Sequence, residues 1–407
     1  MNASHHHATP LPTFLIVTFL ASIGTGIFWL GIPFIAESQY GISEAQNLML
    51  SCAAGATYMA GAFVSGRVIR RIERRMSPRT LLTFVLSSCA VLCLVPLVVK
   101  TLASLVIVAC SVSLLSSFLW PTMESFLTAG RHGPKMRSAI GWFNLVWTSA
   151  VVLAMFGLGP FMSTQPDTAI VLTGVLFVVA TILLQRFPGT PPPHHASQTA
   201  VVPPIYPHLL RSARALLPLS YLLIAAMSPL LPYRMDALAI EESWRPPFAA
   251  IWMLARPCAM TALWLHGAWH GRWSPLIVAS VMMMVGFALV VAGSTTAMLS
   301  IGLIVFGAGV GTIYYAALYY AMAVGSAAVD AGGTHEALIG FGYTIGPLGG
   351  LLGLLLADVS TTSRVVPTMS SEAWIVVVSF VLIGIGGMSA VMPFIRSRRE
   401  DASVTAS

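Results

Sequence analysis

The sequence predicts an all-α integral membrane protein with 12 transmembrane helices, arranged as two pseudo-symmetric bundles of six. Composition is the first observation, because 57% of the 407 residues are hydrophobic and 9% are charged. The mean hydropathy of +0.83 leaves too little polar surface to cover a water-soluble globule. The other two observations are the lengths of the apolar runs and an internal repeat.

The apolar runs are each about 20 residues or longer, which is enough for a helix rising about 1.5 Å per residue to cross a hydrocarbon layer of about 30 Å. The first run is too long for the core of a signal peptide, so we expect it to remain as the first span. The runs cover residues 11–35, 46–66, 80–99, 102–129, 138–162, 167–186, 214–234, 247–269, 275–293, 296–323, 336–358 and 373–395.

Short segments recur at an offset of about 200 residues, in chain order. Ile32-Pro33-Phe34 matches Leu231-Pro232-Tyr233, and Arg75-Met76-Ser77-Pro78 matches Arg272-Trp273-Ser274-Pro275. Ile140-Gly141-Trp142 likewise matches Ile339-Gly340-Phe341. One match alone would be chance, but several at a single period favour a duplicated half.

The basic residues orient the chain in the membrane. With the N-terminus inside, 16 of the 21 Lys and Arg residues lie on the cytoplasmic side, which is the side that positive charge favours. The net charge of +7 therefore indicates anchoring at a bilayer surface rather than nucleic-acid binding. We expect a multi-pass protein of the cell membrane, with both termini in the cytoplasm.

This threading divides the chain into five parts. They are a cytoplasmic N-terminal tip (1–10), the first bundle (11–187), a Pro-rich cytoplasmic linker (188–212), the second bundle (213–395) and a loose polar tail (396–407). His5, His6 and His7 in the tip are given no role. The five cysteines all fall within apolar runs without metal-ligand spacing, so we expect inert thiols and no metal site.

Tryptophan and tyrosine are unevenly distributed among the runs. The third, sixth and ninth runs contain neither residue, and the twelfth has only Trp374 at its edge. Helices with polar-tipped aromatic side chains need partners for their N–H and O–H groups, whereas plain aliphatic helices can face lipid. Two of every three helices are therefore predicted to line an interior.

Twelve helices in two repeats, with every third helix peripheral, resemble the major facilitator superfamily of secondary transporters. The resemblance covers essentially the whole chain and includes the basic loop after the second span. There Gly66, Arg71, Arg74 and Arg75 match the family pattern, while Arg70 replaces its acidic residue. In the eleventh run, Gly342 to Gly350 looks like the Gly-Pro motif that antiporters of the family carry in the fifth helix, and includes Gly346 and Pro347.

Arg256 is the main candidate for substrate binding. Helix arithmetic places it roughly 16 Å from Arg245 and about 21 Å from His270, near the bilayer centre. A guanidinium at that depth is costly unless it is paired or hydrated, so it is a functional candidate. We expect Arg256 to contact an anionic or strongly hydrogen-bonding substrate; the alternative is an arginine locked to a neighbouring helix.

Glu124 is the candidate for proton coupling. It lies in the fourth run, about 10 Å from the cytoplasmic end, where partial burial would let it bind and release a proton during transport. The same arithmetic puts its depth about 10 Å from that of Arg256, which argues against a direct pair. A structural salt bridge to the Arg131–Arg137 loop is the alternative.

Two further groups of residues are predicted from the resemblance and from composition. Arg70 would face Glu336 at the start of the eleventh span as a charge-swapped cytoplasmic latch, so gating is assigned to the Gly66–Arg75 hairpin, Glu336 and the Gly346-Pro347 pair. The remaining expected cavity walls are polar or aromatic, with core packing as the alternative for each: Trp120, Asn144, Trp147, Trp252, Tyr315 and Tyr319.

The resemblance implies an alternating-access secondary transporter with protons as the coupling ion. Arg256 in an otherwise uncharged interior favours a small amphipathic or anionic organic solute. The Gly-Pro motif favours export slightly over uptake. An enzyme is not expected, because no zinc-binding helix, nucleophile elbow or phosphate loop is present. We expect a monomer without cofactors; a transporter-like sensor or a lipid flippase remains as an alternative.

Overall fold

The computed structural model describes residues 9–72, 75–131, 133–192, 203–324, 329–362 and 367–405. Within these residues the regular elements are all helical, and 12 helices are long and apolar enough to cross a membrane. In chain order they are helix 1 (Leu11–Tyr40), helix 2 (Glu44–Ile72), helix 3 (Pro78–Val98), helix 4 (Leu102–Thr128), helix 5 (Gly133–Met162), helix 6 (Pro166–Leu184), helix 7 (Tyr206–Ala237), helix 8 (Arg245–Leu265), helix 9 (Ser274–Ala292), helix 10 (Thr296–Ala323), helix 11 (Val329–Thr362) and helix 12 (Ser371–Thr405).

Each half has a helix irregularity at the same point of the sequence repeat. Helix 1 contains a π-helical stretch at Ile27–Gly31, and helix 7 contains a 3₁₀ turn at Ser228–Leu230. Each break directly precedes one of the matched segments, which contain Pro33 and Pro232. A proline lacks the backbone N–H and crowds the preceding turn, so it disturbs an α-helix at the same point in each half.

The halves meet along two long helix pairs. Helix 2 packs on helix 11, and helix 5 packs on helix 8. Helices 3, 6, 9 and 12 make their main contacts within their own half, and apolar side chains such as Ile277 and Val281 point outward from helix 9. Aliphatic side chains on the outside of a membrane bundle face lipid. The peripheral position of helices 3, 6 and 9 agrees with their lack of Trp and Tyr.

Two predicted boundaries are wrong. Helix 7 begins at Tyr206 rather than after the predicted linker, since Pro207 is well suited to the first turn of a helix. Helix 12 continues to Thr405, so the tail predicted to be loose is helical up to that residue. Arginine, glutamate and alanine in the tail are good helix formers and extend the last span beyond its apolar part. Residues 1–8 of the N-terminal tip lie outside the described residues.

We define two faces of the bundle. The basic face holds the exposed side chains of Arg71 and Arg75 and the C-terminal ends of helices 2, 4, 6, 8 and 10. The opposite face holds the C-terminal ends of helices 1, 3, 5, 7, 9 and 11. On the basic face Arg131 donates to the carbonyls of Phe126 (3.1 Å) and Leu127 (2.7 Å) and to that of Thr9, and its burial lowers the pKa of the guanidinium. Arg131 therefore caps helix 4 and fixes the chain entering helix 1.

Candidate functional site

A cavity of about 110 Å³ lies between the two halves. Among the described residues its walls come from helices 1, 2, 4, 5, 7, 8, 10 and 11, and from none of the four peripheral helices. The lining residues are Ser22, Thr25, Gly26, Trp29, Leu30, Tyr58, Trp120, Glu124, Phe143, Trp147, Val151, Tyr221, Trp252, Met253, Arg256, Tyr314, Glu336, Ile339 and Tyr343. The lining is thus mainly aromatic, with one basic and two acidic side chains.

Arg256 is 2% exposed, yet it lines this cavity. Its guanidinium carbon lies 4.7 Å from the ring centre of Trp147 and 4.6 Å from that of Tyr314. One Nη donates to the Tyr221 hydroxyl at 3.1 Å, while Nε has no hydrogen-bond partner among the described residues. Within the described part of the chain no carboxylate forms an ion pair with Arg256. Aromatic rings therefore stabilise this buried charge without neutralising it.

Glycines on helix 10 determine where helix 8 carries Arg256. Gly307 and Gly311 lie one turn apart against the backbone of Trp252 and Arg256, which are also one turn apart. A Cβ atom on Gly311 would lie 3.1 Å from the Arg256 Cα. The two helices can approach this closely only because both positions lack side chains, and the approach holds the guanidinium between the rings.

Two carboxylates line the same cavity in different surroundings. Glu336 on helix 11 is 5% exposed and accepts a hydrogen bond from the hydroxyl of Tyr58 on helix 2, in the other half. Glu124 on helix 4 is half-buried, and no described side chain donates to its carboxylate. Glu124 and Arg256 thus share one cavity despite the depth difference that helix arithmetic gave.

The aromatic walls connect the two halves. Trp29 stacks on Tyr343 with ring centres 4.3 Å apart and meets the edge of Tyr58 at 5.0 Å. Tyr221 and Tyr343 are 5.3 Å apart. Such edge and stacked contacts favour a defined arrangement of rings. A flat apolar group entering the cavity would therefore find ring faces and edges already in place.

The structure brings together some of the predicted binding residues and separates others. Trp120, Glu124, Trp147, Trp252 and Arg256 all line the cavity.

Three other predicted cavity walls lie elsewhere, because they are on different sides of helices 5 and 10 from the residues that line the cavity. Asn144 and Tyr315 line a separate space of about 10 Å³ beside Trp264. Tyr319 stacks on His270, with ring centres 4.3 Å apart.

The predicted gating residues are only partly described. Gly66 is half-buried on helix 2, and Arg71 and Arg75 are exposed. Arg74 and the side chain of Arg70 lie outside the described residues, so the Arg70–Glu336 latch stays a prediction. The carboxylate of Glu336 faces Tyr58 in the cavity.

The glycine of the Gly346-Pro347 pair packs within its own half. Gly346 lies against helix 7, where an added Cβ would be 2.9 Å from the Ala226 nitrogen. Pro347 lies inside helix 11, one residue further along.

Sequence reasoning did not select several cavity residues. Five aromatic residues inside the spans line the cavity but were not assigned to it from the sequence: Trp29, Tyr58, Tyr221, Tyr314 and Tyr343. Their depth in the spans was a usable signal, since a tyrosine hydroxyl far from the interface needs a polar partner.

Contacts between the halves occur on both sides of the cavity. On the opposite face Ser38 donates to Glu242, Arg245 lies 3.7 Å from Glu37, and Tyr233 donates to the Ile42 carbonyl at 2.7 Å. Toward the basic face the rings of Trp142 and Trp264 are 6.3 Å apart. Neither face is therefore splayed open around the cavity.

The comparisons with known proteins agree with this architecture. Residues 14–354 match the family model of the Major Facilitator Superfamily. A search of curated proteins gave no match.

Three solved structures with similar folds are all membrane transporters. The nucleoside transporter NupG has a TM-score of 0.64 at 12% identity, covering 94% of this chain and 98% of its own. A bacterial homologue of the human lysosomal transporter Spinster gives 0.65 at 13%, with 96% and 98% covered. The human organic anion transporter MFSD10 gives 0.62 at 13%, with 93% and 98% covered. The chain therefore belongs to the major facilitator superfamily and is a membrane transporter rather than an enzyme.

Proposed function

We propose that this protein is a secondary active transporter that moves a small organic solute with an anionic group and a flat apolar part. The observation that carries the proposal is Arg256, a buried cation in the central cavity with no carboxylate partner among the described residues. A charge retained at such a position is costly, and a substrate that pairs with it offsets the cost. The ring faces around Arg256 would bind the apolar part.

The position of the cavity between the two halves supports alternating access. It is enclosed between the halves, and contacts between the halves are present on both of its sides. Rocking one half against the other would open one face while the contacts on the other persist. The distribution of Lys and Arg assigns the basic face to the cytoplasm in this proposal. The membrane is proposed to be the cell membrane, and the protein is proposed to be a monomer.

Protons are proposed as the coupling ion, with Glu124 as the carrier. Its carboxylate faces the cavity without a described donor, so it can exchange a proton when the cavity opens. Glu336 is held by Tyr58 and would separate from it when the basic face opens. Export remains slightly favoured by the Gly346-Pro347 motif, and the predicted gating role of the hairpin and of this motif is retained.

The substrate test compares ligand binding in wild-type protein and in Arg256→Ala. Phenylacetate and its neutral analogue phenylethanol serve as probes in thermal-shift measurements on purified protein. We expect phenylacetate to stabilise the wild type and to bind at least tenfold more weakly to Arg256→Ala, with Arg256→Lys between the two. Arg211→Ala, an exposed arginine on the basic face, is the matched control. Equal stabilisation of wild type and Arg256→Ala would contradict the proposal.

The coupling test uses proteoliposomes loaded with a pH-sensitive dye. Solute addition should drive proton movement in wild-type vesicles, and Glu124→Gln should abolish that movement while solute still equilibrates down its own gradient. A Glu124→Gln protein whose transport still follows an imposed pH gradient would remove Glu124 from the coupling role. Absence of any solute turnover in the wild type would favour a sensor.

A further inference from the structure

A second and larger cavity, of about 430 Å³, lies at the opposite face and is separate from the central one. It is bounded by the ends of helices 1, 3 and 5, the start of helix 6 and Glu242 just before helix 8. Its walls therefore come from both halves of the protein. Of the residues that line it, only Ser38 and Glu242 take part in the transport mechanism proposed above, through their contact between the halves.

Two acceptor atoms at this cavity have no hydrogen-bond donor among the described residues. Asp167, in the first turn of helix 6, is 8% exposed, and its Oδ2 accepts a hydrogen bond from the Gln39 side-chain amide. Asp167 Oδ1 and Gln39 Oε1 are both buried, and neither has a hydrogen-bond partner in the described part of the chain. A helix N-terminus favours an acidic residue in its first turn, which accounts for the charge of Asp167 but not for two buried acceptors. Buried polar atoms in folded proteins normally have partners.

The charges around the cavity favour a cation. Asp167 and Glu242 are both acidic, and Glu242 is bound by the Ser38 hydroxyl of the other half. Lys100 also lines the cavity, but its side chain is exposed at the rim, and within the described residues it forms no ion pair. A bound group must therefore bring N–H or O–H donors and a positive charge to the buried end.

The remaining walls favour an organic ion over a metal ion. Leu97, Met162 and Val171 supply apolar surface beside the acidic end, and the volume is large for a single inorganic cation. We propose that this cavity is a second binding site, for a small organic ammonium ion. Its N–H donors bind Asp167 and Gln39, while its alkyl part contacts the apolar wall.

Binding at this site would also affect the transport cycle. Asp167 and Gln39 belong to the first half and Glu242 to the second, so the cavity is complete only while the opposite face is closed. A ligand that contacts both halves stabilises the closed arrangement of that face, because it binds this arrangement better than the open one. An ammonium ion at this site therefore slows transport without competing at the central cavity.

The test uses n-butylammonium at neutral pH, where a primary amine is protonated, and thermal-shift titration of the full-length protein. We expect a saturable stabilisation of the wild type and at least a tenfold weaker apparent affinity in Asp167→Asn. Glu241→Gln is the matched control, since Glu241 is exposed on the same face and its carboxylate accepts a hydrogen bond from Ser243 alone among the described side chains. Lys100→Met should bind more tightly, because a like charge leaves the rim.

Two further probes separate the chemistry. Tetramethylammonium has the charge but no N–H donor, and butyrate has the chain with the opposite charge, so both should stabilise the protein less. No stabilisation by n-butylammonium would mean that water satisfies the two acceptors, and it would overturn the proposal. Equal affinity in wild type and Asp167→Asn would overturn it as well. Arg256→Ala should retain n-butylammonium binding, so this result stands apart from the substrate test.

Discussion

The two interfaces between the halves, helix 2 with helix 11 and helix 5 with helix 8, follow the same plan with opposite charge. At each one the second half supplies a buried ionisable side chain and the first half supplies an aromatic partner. Glu336 accepts from Tyr58 at the first interface, and Arg256 lies over Trp147 at the second. The surroundings of Glu336 and of Arg256 therefore both depend on contact between the two halves at this level.

The interfaces differ in what touches toward the basic face. At helices 2 and 11, a Cβ on Gly340 would lie 2.7 Å from the Met59 Cα, a backbone atom. At helices 5 and 8, a Cβ on Gly141 would lie 2.8 Å from a ring carbon of Trp264. A side-chain ring can rotate aside, whereas backbone in a packed helix cannot. Toward the basic face, the first interface is thus held by main-chain contact and the second by a side-chain ring that can move.

Gly340→Ala against Gly141→Ala is the sharpest test of this difference, since the repeat places the two glycines at matched positions. We expect Gly340→Ala to lower the free energy of unfolding by about 3 kcal/mol, as overpacking does in rigid surroundings. Gly141→Ala should cost about 1 kcal/mol or less, because Trp264 can move. Thermal unfolding in detergent measures both, and equal costs would show that the interfaces do not differ in rigidity.

Tyr58→Phe tests the acidic interface. It removes the donor of the buried Glu336 carboxylate, which should cost about 2 kcal/mol in unfolding free energy. Because the lost contact joins the two halves, transport should also change, with easier opening of the basic face. Labelling of a cysteine introduced at Ile339, which lines the cavity, would report that opening. Unchanged labelling and stability would remove the Tyr58–Glu336 contact from the gating account.

Trp147→Leu tests the basic interface and should cost about 2 kcal/mol in unfolding free energy, because it removes one cation–π contact and the indole donor to the buried Asn144 side chain. Tyr314 remains on the other side of the guanidinium and retains part of the stabilisation. Phenylacetate affinity should fall about threefold to tenfold. Phe156→Leu, which alters the same helix at a half-exposed ring outside the cavity, is the control and should leave that affinity unchanged.

The fold could be predicted from the sequence because the bilayer restricts the alternatives. A chain with 12 long apolar runs and internal repeats has few arrangements that pair every backbone group, so the spans and peripheral helices followed from composition. Arg256 could be predicted for a similar reason, since a charge at mid-span is costly unless it is used.

The rotation of each helix could not be predicted. Sequence spacing gives the depth of Asn144, Tyr315 and Tyr319, but the side to which each points depends on helix tilt and on packing at distant glycines. The same applies to Tyr58, Tyr221 and Tyr343, whose depth was evident but whose convergence on the cavity required three helices from both halves. The buried acceptors of Asp167 and Gln39 come from segments far apart in the chain and had no sequence signal.

The π-helical stretch Ile27–Gly31 makes helix 1 one residue longer than a regular α-helix would need. If the same residues were wound as a regular α-helix, the preceding part of the helix would be turned by roughly 100° relative to the rest, because each residue turns an α-helix by about that angle. Ser22 and Thr25 would then swing toward neighbouring helices, while Trp29 kept its place against Tyr343. The wide winding of this stretch thus determines whether a solute meets hydroxyl groups or aliphatic side chains along this wall.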